Sequence, residues 1–209
     1  MLDLDQTLIS SEILDKSCAD DGDKMYIIEE NREKSKLFRY QNMEGLYVIF
    51  ERPYLQEFLT FLFANFRVGV WTAASQDYAN FIVKNIVIGD HIDRKLEFFL
   101  CSYHGKKSAT MFRGSKDLDM LLDLYQVPEC TKKCIVIIDD YDEVHNIQTQ
   151  NCIVAKEFCY FNLGSDKDTF LKNLEDKLRE YLDKKKATAD GGGDINFALS
   201  SVVNSINGK

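Results

Sequence analysis

Positive charge is scarce in this 209-residue chain: 26 lysines and arginines face 34 aspartates and glutamates, for a formal net charge of −8. Tight, salt-driven binding to a nucleic-acid backbone needs a basic face. That role is therefore not expected, and only a small local basic patch is left open. Long apolar runs are missing too. The best one, residues 58–70, is interrupted by Asn65 and Arg67 and falls short of the ~20 residues that a membrane span requires. The first ten residues contain Asp3 and Asp5 and no basic start, so they do not read as a secretory signal. The six cysteines lack the rhythm of a small disulfide framework, and the Cys130–Cys134 pair has no second Cys/His pair at a zinc-ligand spacing. Reduced thiols in an intracellular protein, nuclear or cytoplasmic, are the expectation. His91, His104 and His145 show no paired spacing and read as surface or core residues. No internal repeat is present.

What the chain does have is an ordinary globular composition, 45% hydrophobic and 29% charged. A globule of this length hides roughly 70% of its unfolded surface and needs no disulfide or metal to hold it together. Residues 15–23 read as a polar loop. Three short β-rich runs follow, at 25–29, 37–40 and 46–51, a small hairpin or meander. Pro53 opens a helical pattern carried by Tyr54, Phe58, Leu59, Phe61 and Leu62. Residues 67–72 read as a buried strand, 77–85 as a helix, and 117–125 as a helix with Leu118, Leu121, Leu122 and Tyr125 on one side. The run CIVII at 134–138 is apolar throughout, as a central parallel strand must be. A strand at 152–154 and an amphipathic helix at 168–184 complete an alternation that predicts an α/β sheet covered on both faces. From Ala187 the composition turns to ATADGGGD, a flexible linker. The mildly amphipathic stretch 195–206 beyond it reads as a frayed terminal helix, with docking onto a partner or its own globule as the rival.

Acidic residues stand where two apolar segments end. In Leu2-Asp3-Leu4-Asp5-Gln6-Thr7-Leu8, alternation in an extended chain puts Asp3, Asp5 and Thr7 on one face. The 135–138 run leads straight into Asp139 and Asp140. Ligands of open parallel sheets bind beyond the carboxyl ends of the strands. Two such ends presenting carboxylates side by side would repel unless a cation lay between them, and hard oxygen donors suit Mg²⁺. Turn formation and helix capping are the competing explanation for either acidic pair taken alone.

These residues resemble the first motif, DxDxT, of the haloacid dehalogenase superfamily. The resemblance sharpens to its branch of RNA polymerase II C-terminal-domain phosphatases, the FCP/SCP or NLI-interacting-factor-like group. LDLDQTL at 2–8 is similar to that group's LDLDETL. Arg52-Pro53 with Glu57-Phe58-Leu59 resembles its "RP…EFL" helix, and Trp71-Thr72-Ala73-Ala74-Ser75 its second motif. Lys116-Asp117-Leu118 resembles the third motif, and Asp139-Asp140 the fourth. The similarity runs in register from about residue 2 to residue 184. It implies a Rossmann-like haloacid dehalogenase fold with a central parallel sheet, helices on both faces, a small β-hairpin insert at about 15–51 and no large cap. The phosphatase domain would be 1–186, and 187–209 a Gly-rich linker and tail.

By resemblance, Asp3 is the nucleophile that accepts the phosphoryl group, and Asp5 the general acid and then base. Thr72 and Lys116 hold the phosphoryl oxygens. Mg²⁺ binds Asp3, the backbone carbonyl of Asp5, and Asp140, with Asp139 bound directly or through water. Thr7 fixes the motif loop. Thr72 has a rival reading as a helix N-cap only, and Lys106 and Lys107 compete with Lys116. The chain departs from the group's pattern in the short stretch ahead of Asp3, which would bring the amino terminus close to the site, and in Gln6 for the commoner Glu. An open site admits a peptide rather than enclosing a metabolite, so a phosphoprotein or phosphopeptide substrate is expected, with phosphoserine or phosphothreonine as the target. Arg94, Lys95, Lys106, Lys107 and Arg113 are the expected cations around the cleft. A catalytically inactive binding module, and an enzyme acting on nucleic-acid ends or small phosphate esters, are the alternatives.

Overall fold

The computed structural model describes residues 1–14, 31–128, 131–190 and 199–208. The expected loop at 15–23 and β run at 25–29 lie outside them. After the first motif, β1 (Ile9–Ile13) forms where no strand is predicted, and a short helix, α1 (Arg32–Ser35), precedes β2 (Tyr40–Met43) and β3 (Tyr47–Glu51). The strand expected at 37–40 is displaced because Phe38 turns inward against Phe50, Phe158 and Tyr160. β1 and β2 both pair antiparallel with β3. The β2–β3 turn uses positive φ at Glu44 and Gly45, the paired left-handed geometry that matches strand twist in two-residue hairpins.

The main sheet follows. Helix α2 (Leu55–Asn65) leads into β4 (Val68–Trp71), and α3 (Gln76–Ile82), widening into a π-turn at Val83–Ile88, leads into β5 (Leu96–Leu100). Helix α4 (Ser102–Met111), β6 (Ile137–Asp139), α5 (Asp142–Ile147) and β7 (Cys152–Val154) come next. β4 pairs parallel with β5, and β6 parallel with β7. Leu2 joins the halves by parallel bridges to Val70 and Ile138, giving the order β5–β4–Leu2–β6–β7. The Met1 ammonium donates to the Val136 carbonyl at 2.7 Å, on the amino side of β6 and away from the acidic end. The sheet is covered on both faces, as its side-chain alternation requires. Val70, Ile138 and Ile153 pack on α2, α3, α6 (Phe170–Asp190) and α7 (Leu199–Ile206), while Trp71, Ile137 and Cys152 face Leu118, Met120, Leu121 and Val144. Gly69 permits a close crossing, since a Cβ there would lie 2.4 Å from the Phe98 ring.

Four expectations need correction. The strand at 134–138 shrinks to Ile137–Asp139, because Lys132–Cys134 forms a 3₁₀ turn. The helix at 117–125 is a single wide turn, Met120–Leu124, and Tyr125 is exposed rather than on its packed side. Helix α6 continues to Asp190, past the predicted start of the linker. The last helix is seated rather than frayed: Val203 is fully buried, and the Asn207 side chain accepts from the Val154 N–H at 3.1 Å and donates to the Cys152 carbonyl at 2.9 Å. An amphipathic octet followed by an Asn placed to continue the β7 edge gains both apolar burial and backbone satisfaction. Among the described residues no helix is long and apolar enough to cross a membrane, and Cys101, Cys134, Cys152 and Cys159 form no disulfide.

Candidate active site

Because β4, β6 and the Leu2 stub run parallel, the residues that follow each of them emerge at one edge of the sheet. Asp3 follows Leu2, Thr72 follows β4, and Asp139 closes β6. Asp5 and Thr7 reach the same edge by a different route from the one the sequence predicts. The chain does not stay extended: Leu8 and Ile9 both donate to the Leu4 carbonyl, and Gln6 takes φ 60°. The motif is thus a tight turn, and each of its side chains finds a separate partner. Gln6 points away and donates to Glu157 at 2.7 Å, a contact that the commoner Glu would replace with like-charge repulsion.

The centre is a buried ion cluster. The Lys116 ammonium donates to Asp3 Oδ1 at 2.5 Å and to Asp139 Oδ2 at 2.7 Å. All three side chains are nearly inaccessible. Burial, partly offset by Lys116, pushes the Asp3 carboxyl up to about 7, and burial raises Asp139 as well. Burial opposes the Lys116 charge, but the two carboxylates outweigh it and hold its pKa above the usual lysine value. One carboxyl oxygen from each of Asp3, Asp139 and Asp140 lies within 4.8 Å of the other two, three acidic groups around one ammonium. Asp140 Oδ1 accepts from Thr7 Oγ1 at 2.7 Å, and Asp139 Oδ1 accepts from the Tyr141 N–H at 3.0 Å. These bonds orient the carboxylates and leave the second oxygens of Asp3 and Asp140 without a hydrogen bond among the described residues. An all-oxygen donor set carrying surplus negative charge at a strand edge fits a hard divalent cation such as Mg²⁺.

Asp5 stands apart. Its Oδ1 accepts from Tyr78 Oη at 2.6 Å and, at the limit of hydrogen bonding, from Ser11 Oγ at 3.5 Å. Burial raises its pKa, and these two hydroxyls moderate the rise. Burial and the Asp5 charge push the Tyr78 phenol upward, so it stays a donor. Thr72 is buried, and its Oγ1 accepts from the Ala74 N–H at 3.1 Å, which leaves its own proton for another acceptor. The N-cap position of α3 belongs to Ser75, not Thr72.

Three features escaped sequence reasoning. Gln148, at the end of α5, clamps the loop of Lys116: its amide donates to the Lys116 carbonyl at 2.9 Å and its oxygen accepts from the Leu118 N–H at 3.1 Å. Arg52 is 1% exposed; it donates to the Thr7 carbonyl at 2.8 Å and forks onto Asp168 at 3.0 and 2.9 Å, with its guanidinium 5.4 Å from the Phe158 and 4.5 Å from the Phe170 ring centre. Arg-Pro was legible as part of a helix motif, but nothing in it announced an anchor for the motif turn. Tyr78 gave only a helical aromatic signal.

The expected ring of cations is smaller than predicted. Arg94 is buried and donates to Val87, Gln56 and Thr60, a structural staple between α2 and the end of the π-turn. Lys95 precedes β5 and so lies at the opposite end of the sheet. Arg113 is forked onto Asp117 and bonded to Asp119. Lys106 and Lys107 sit on α4, Lys107 with its ammonium 5.9 Å from the Tyr125 ring centre. Of the histidines, His104 accepts from the Cys101 N–H at the start of α4, His91 is exposed, and His145 is buried at Nε2. Burial lifts the Cys152 thiol to about 12, so it is no nucleophile.

The sequence matches the NLI interacting factor-like phosphatase family over residues 1–189. It is 40% identical over 186 residues to the CTD phosphatase-like protein 355R of Invertebrate iridescent virus 3, covering 87% of this chain and 95% of that protein. Its counterpart in Invertebrate iridescent virus 6 is 36% identical over 184 residues, with 87% and 97% covered. The human ubiquitin-like domain-containing CTD phosphatase 1 is 25% identical over 162 residues, 77% of this chain and 50% of that one. Among solved structures, Fcp1, an RNA polymerase II CTD phosphatase, aligns at TM-score 0.46 and 17% identity over 99% of this chain and 61% of that one. The chain belongs to the NLI interacting factor-like phosphatases.

Proposed function

We propose that this chain is a Mg²⁺-dependent phosphoprotein phosphatase that works through an aspartyl-phosphate on Asp3. Its substrate would be phosphoserine or phosphothreonine in an extended peptide such as the RNA polymerase II C-terminal domain. One observation carries the reading: two carboxylates of a single turn are held in different ways, Asp3 by Lys116 and Asp5 by Tyr78. That is the division a double displacement needs, a nucleophile beside a cation and a proton carrier beside neutral donors.

In the first step the free oxygen of Asp3 attacks phosphorus and the bond to the seryl oxygen breaks, with Asp5 giving its proton to that oxygen. In the second, Asp5 takes a proton from water as the water oxygen attacks phosphorus, and the bond to Asp3 breaks to release phosphate. Lys116 and the Thr72 hydroxyl hold phosphoryl oxygens as charge shifts onto them. Mg²⁺, held by Asp3, Asp140 and the Asp5 carbonyl, with Asp139 direct or through water, would supply further charge neutralisation. Relatives bearing the CTD phosphatase name support the substrate class, as do Lys106 and Lys107 on α4, suited to a polyanionic peptide.

The test is phosphate release from p-nitrophenyl phosphate and from a phosphoserine heptad-repeat peptide, with and without Mg²⁺. Release that needs Mg²⁺ and is lost in Asp3→Asn supports the reading. A folded, Mg²⁺-binding protein that releases nothing from either would instead be a binding module, and release from sugar phosphates or phosphorylated DNA ends alone would overturn the peptide assignment.

A further inference from the structure

Asp5 is bonded on one side only. Both of its donors, Tyr78 Oη at 2.6 Å and Ser11 Oγ at 3.5 Å, meet Oδ1, and Oδ2 has no hydrogen bond among the described residues. Tyr78 is itself fixed. It is 8% exposed in the first turn of α3, six residues after Thr72, and its ring meets that of Tyr47 edge-on with centroids 5.0 Å apart. Tyr47 belongs to β3 and is paired with Ile13 of β1, the strand that also carries Ser11. The antiparallel insert and the helix after the second motif therefore converge on one carboxylate oxygen.

We propose that Tyr78 is a positioning residue for proton delivery to the leaving group: by holding Asp5 Oδ1, with Tyr47 of the β insert behind it, it presents Oδ2 to the seryl oxygen. This rests on the acid–base role of Asp5 given above and extends it to the groups that set its rotamer. An aspartate has three staggered χ1 wells and a broad χ2, and only one arrangement aims a given oxygen at the departing group. A short bond from a phenol removes that freedom at little electrostatic cost, because the donor carries no charge of its own. The β insert then has a catalytic consequence even though it supplies no residue that touches phosphate.

Proton delivery matters in proportion to the basicity of the leaving group, and that supplies the test. The Mg²⁺-loaded protein, Tyr78→Phe, Asp5→Asn and the double variant are assayed on p-nitrophenyl phosphate, phenyl phosphate and a phosphoserine peptide. Tyr78→Phe keeps the ring against Tyr47 and removes only the hydroxyl. It is expected to lower kcat/KM, which reports formation of the phosphoenzyme, by roughly tenfold on the phosphoserine peptide, as loss of one hydrogen bond would. It should leave p-nitrophenyl phosphate nearly unaffected and add no further loss in the Asp5→Asn background. Because the substrates are compared within one preparation, any unfolded fraction cancels. Equal losses of kcat/KM on all three substrates, no loss on any, or a full additional loss on top of Asp5→Asn would each overturn the proposal. If Asp5→Asn itself loses kcat/KM equally on all three, the general-acid reading of Asp5 falls, and the role of Tyr78 falls with it.

Discussion

Asp3 and Asp5 are separated by one residue, yet Asp3 shares a buried ammonium with Asp139 while Asp5 is held by a phenol and a hydroxyl alone. Both carboxyls are raised by burial, so desolvation does not distinguish them. Their partners do. A cation beside Asp3 keeps it anionic once further positive charge arrives, which suits a nucleophile. Neutral donors beside Asp5 let it carry a proton and give it up, which suits an acid and base. The turn at Gln6, with its left-handed backbone, makes this separation possible: an extended chain would have pointed both carboxylates at the same neighbours.

The comparison is broken most completely by removing one partner at a time. Asp3→Asn should lower kcat by roughly 10⁴–10⁶-fold on every phosphate ester, whatever its leaving group, the scale seen when a covalent nucleophile is lost. Asp5→Asn should lower kcat/KM, which reports formation of the phosphoenzyme, by roughly 10²–10⁴-fold on the phosphoserine peptide and far less on p-nitrophenyl phosphate. Lys116→Met leaves Asp3 and Asp139 facing each other without a cation. Stability of the metal-free protein should fall by about 3–5 kcal/mol, measured by urea denaturation, and Mg²⁺ should restore part of it. Gln148→Ala frees the loop that aims Lys116 and should cost about 1–3 kcal/mol, with a matching drop in kcat.

A gentler test uses pH. A carboxyl whose pKa is higher in the fold than in the open chain binds its proton more tightly when folded. Asp3 goes from the ordinary 3.8 to about 7, so its contribution makes the metal-free protein less stable as pH rises through that window. The melting temperature of Asp3→Asn should fall less steeply over the same range, and the stabilisation by Mg²⁺ should be larger at pH 8 than at pH 5. An identical slope in the two proteins would place the strain elsewhere.

The parts of this site legible from sequence are those carried by strand ends. Asp3, Asp139 and Asp140 follow apolar runs, and parallel pairing necessarily brings such ends to one edge. The motif favours Lys116 over Lys106 and Lys107, and it is the lysine that the fold inserts between the carboxylates. Contacts set by turns and distant loops were not legible. Arg94 looked like a cleft cation, but a guanidinium can satisfy several carbonyls at once and was drawn into the gap between two helices. Strand β5, LEFFL, has too little alternation to separate it from a helix. Helix α7 looked like a loose end because the value of its docking lies in the β7 edge at Cys152 and Val154, remote in sequence.

The division of labour between the two aspartates can be read directly by acid-quenching each variant with ³²P-labelled p-nitrophenyl phosphate and Mg²⁺. Its leaving group departs without an acid, so Asp5→Asn should still form the phosphoenzyme but lack the base that clears it, and should accumulate a covalent, hydroxylamine-labile label. Asp3→Asn should take up none. Label on the Asp3→Asn protein, or no label on Asp5→Asn while it still turns over the ester, would contradict the assignment of Asp3 as nucleophile and Asp5 as proton carrier.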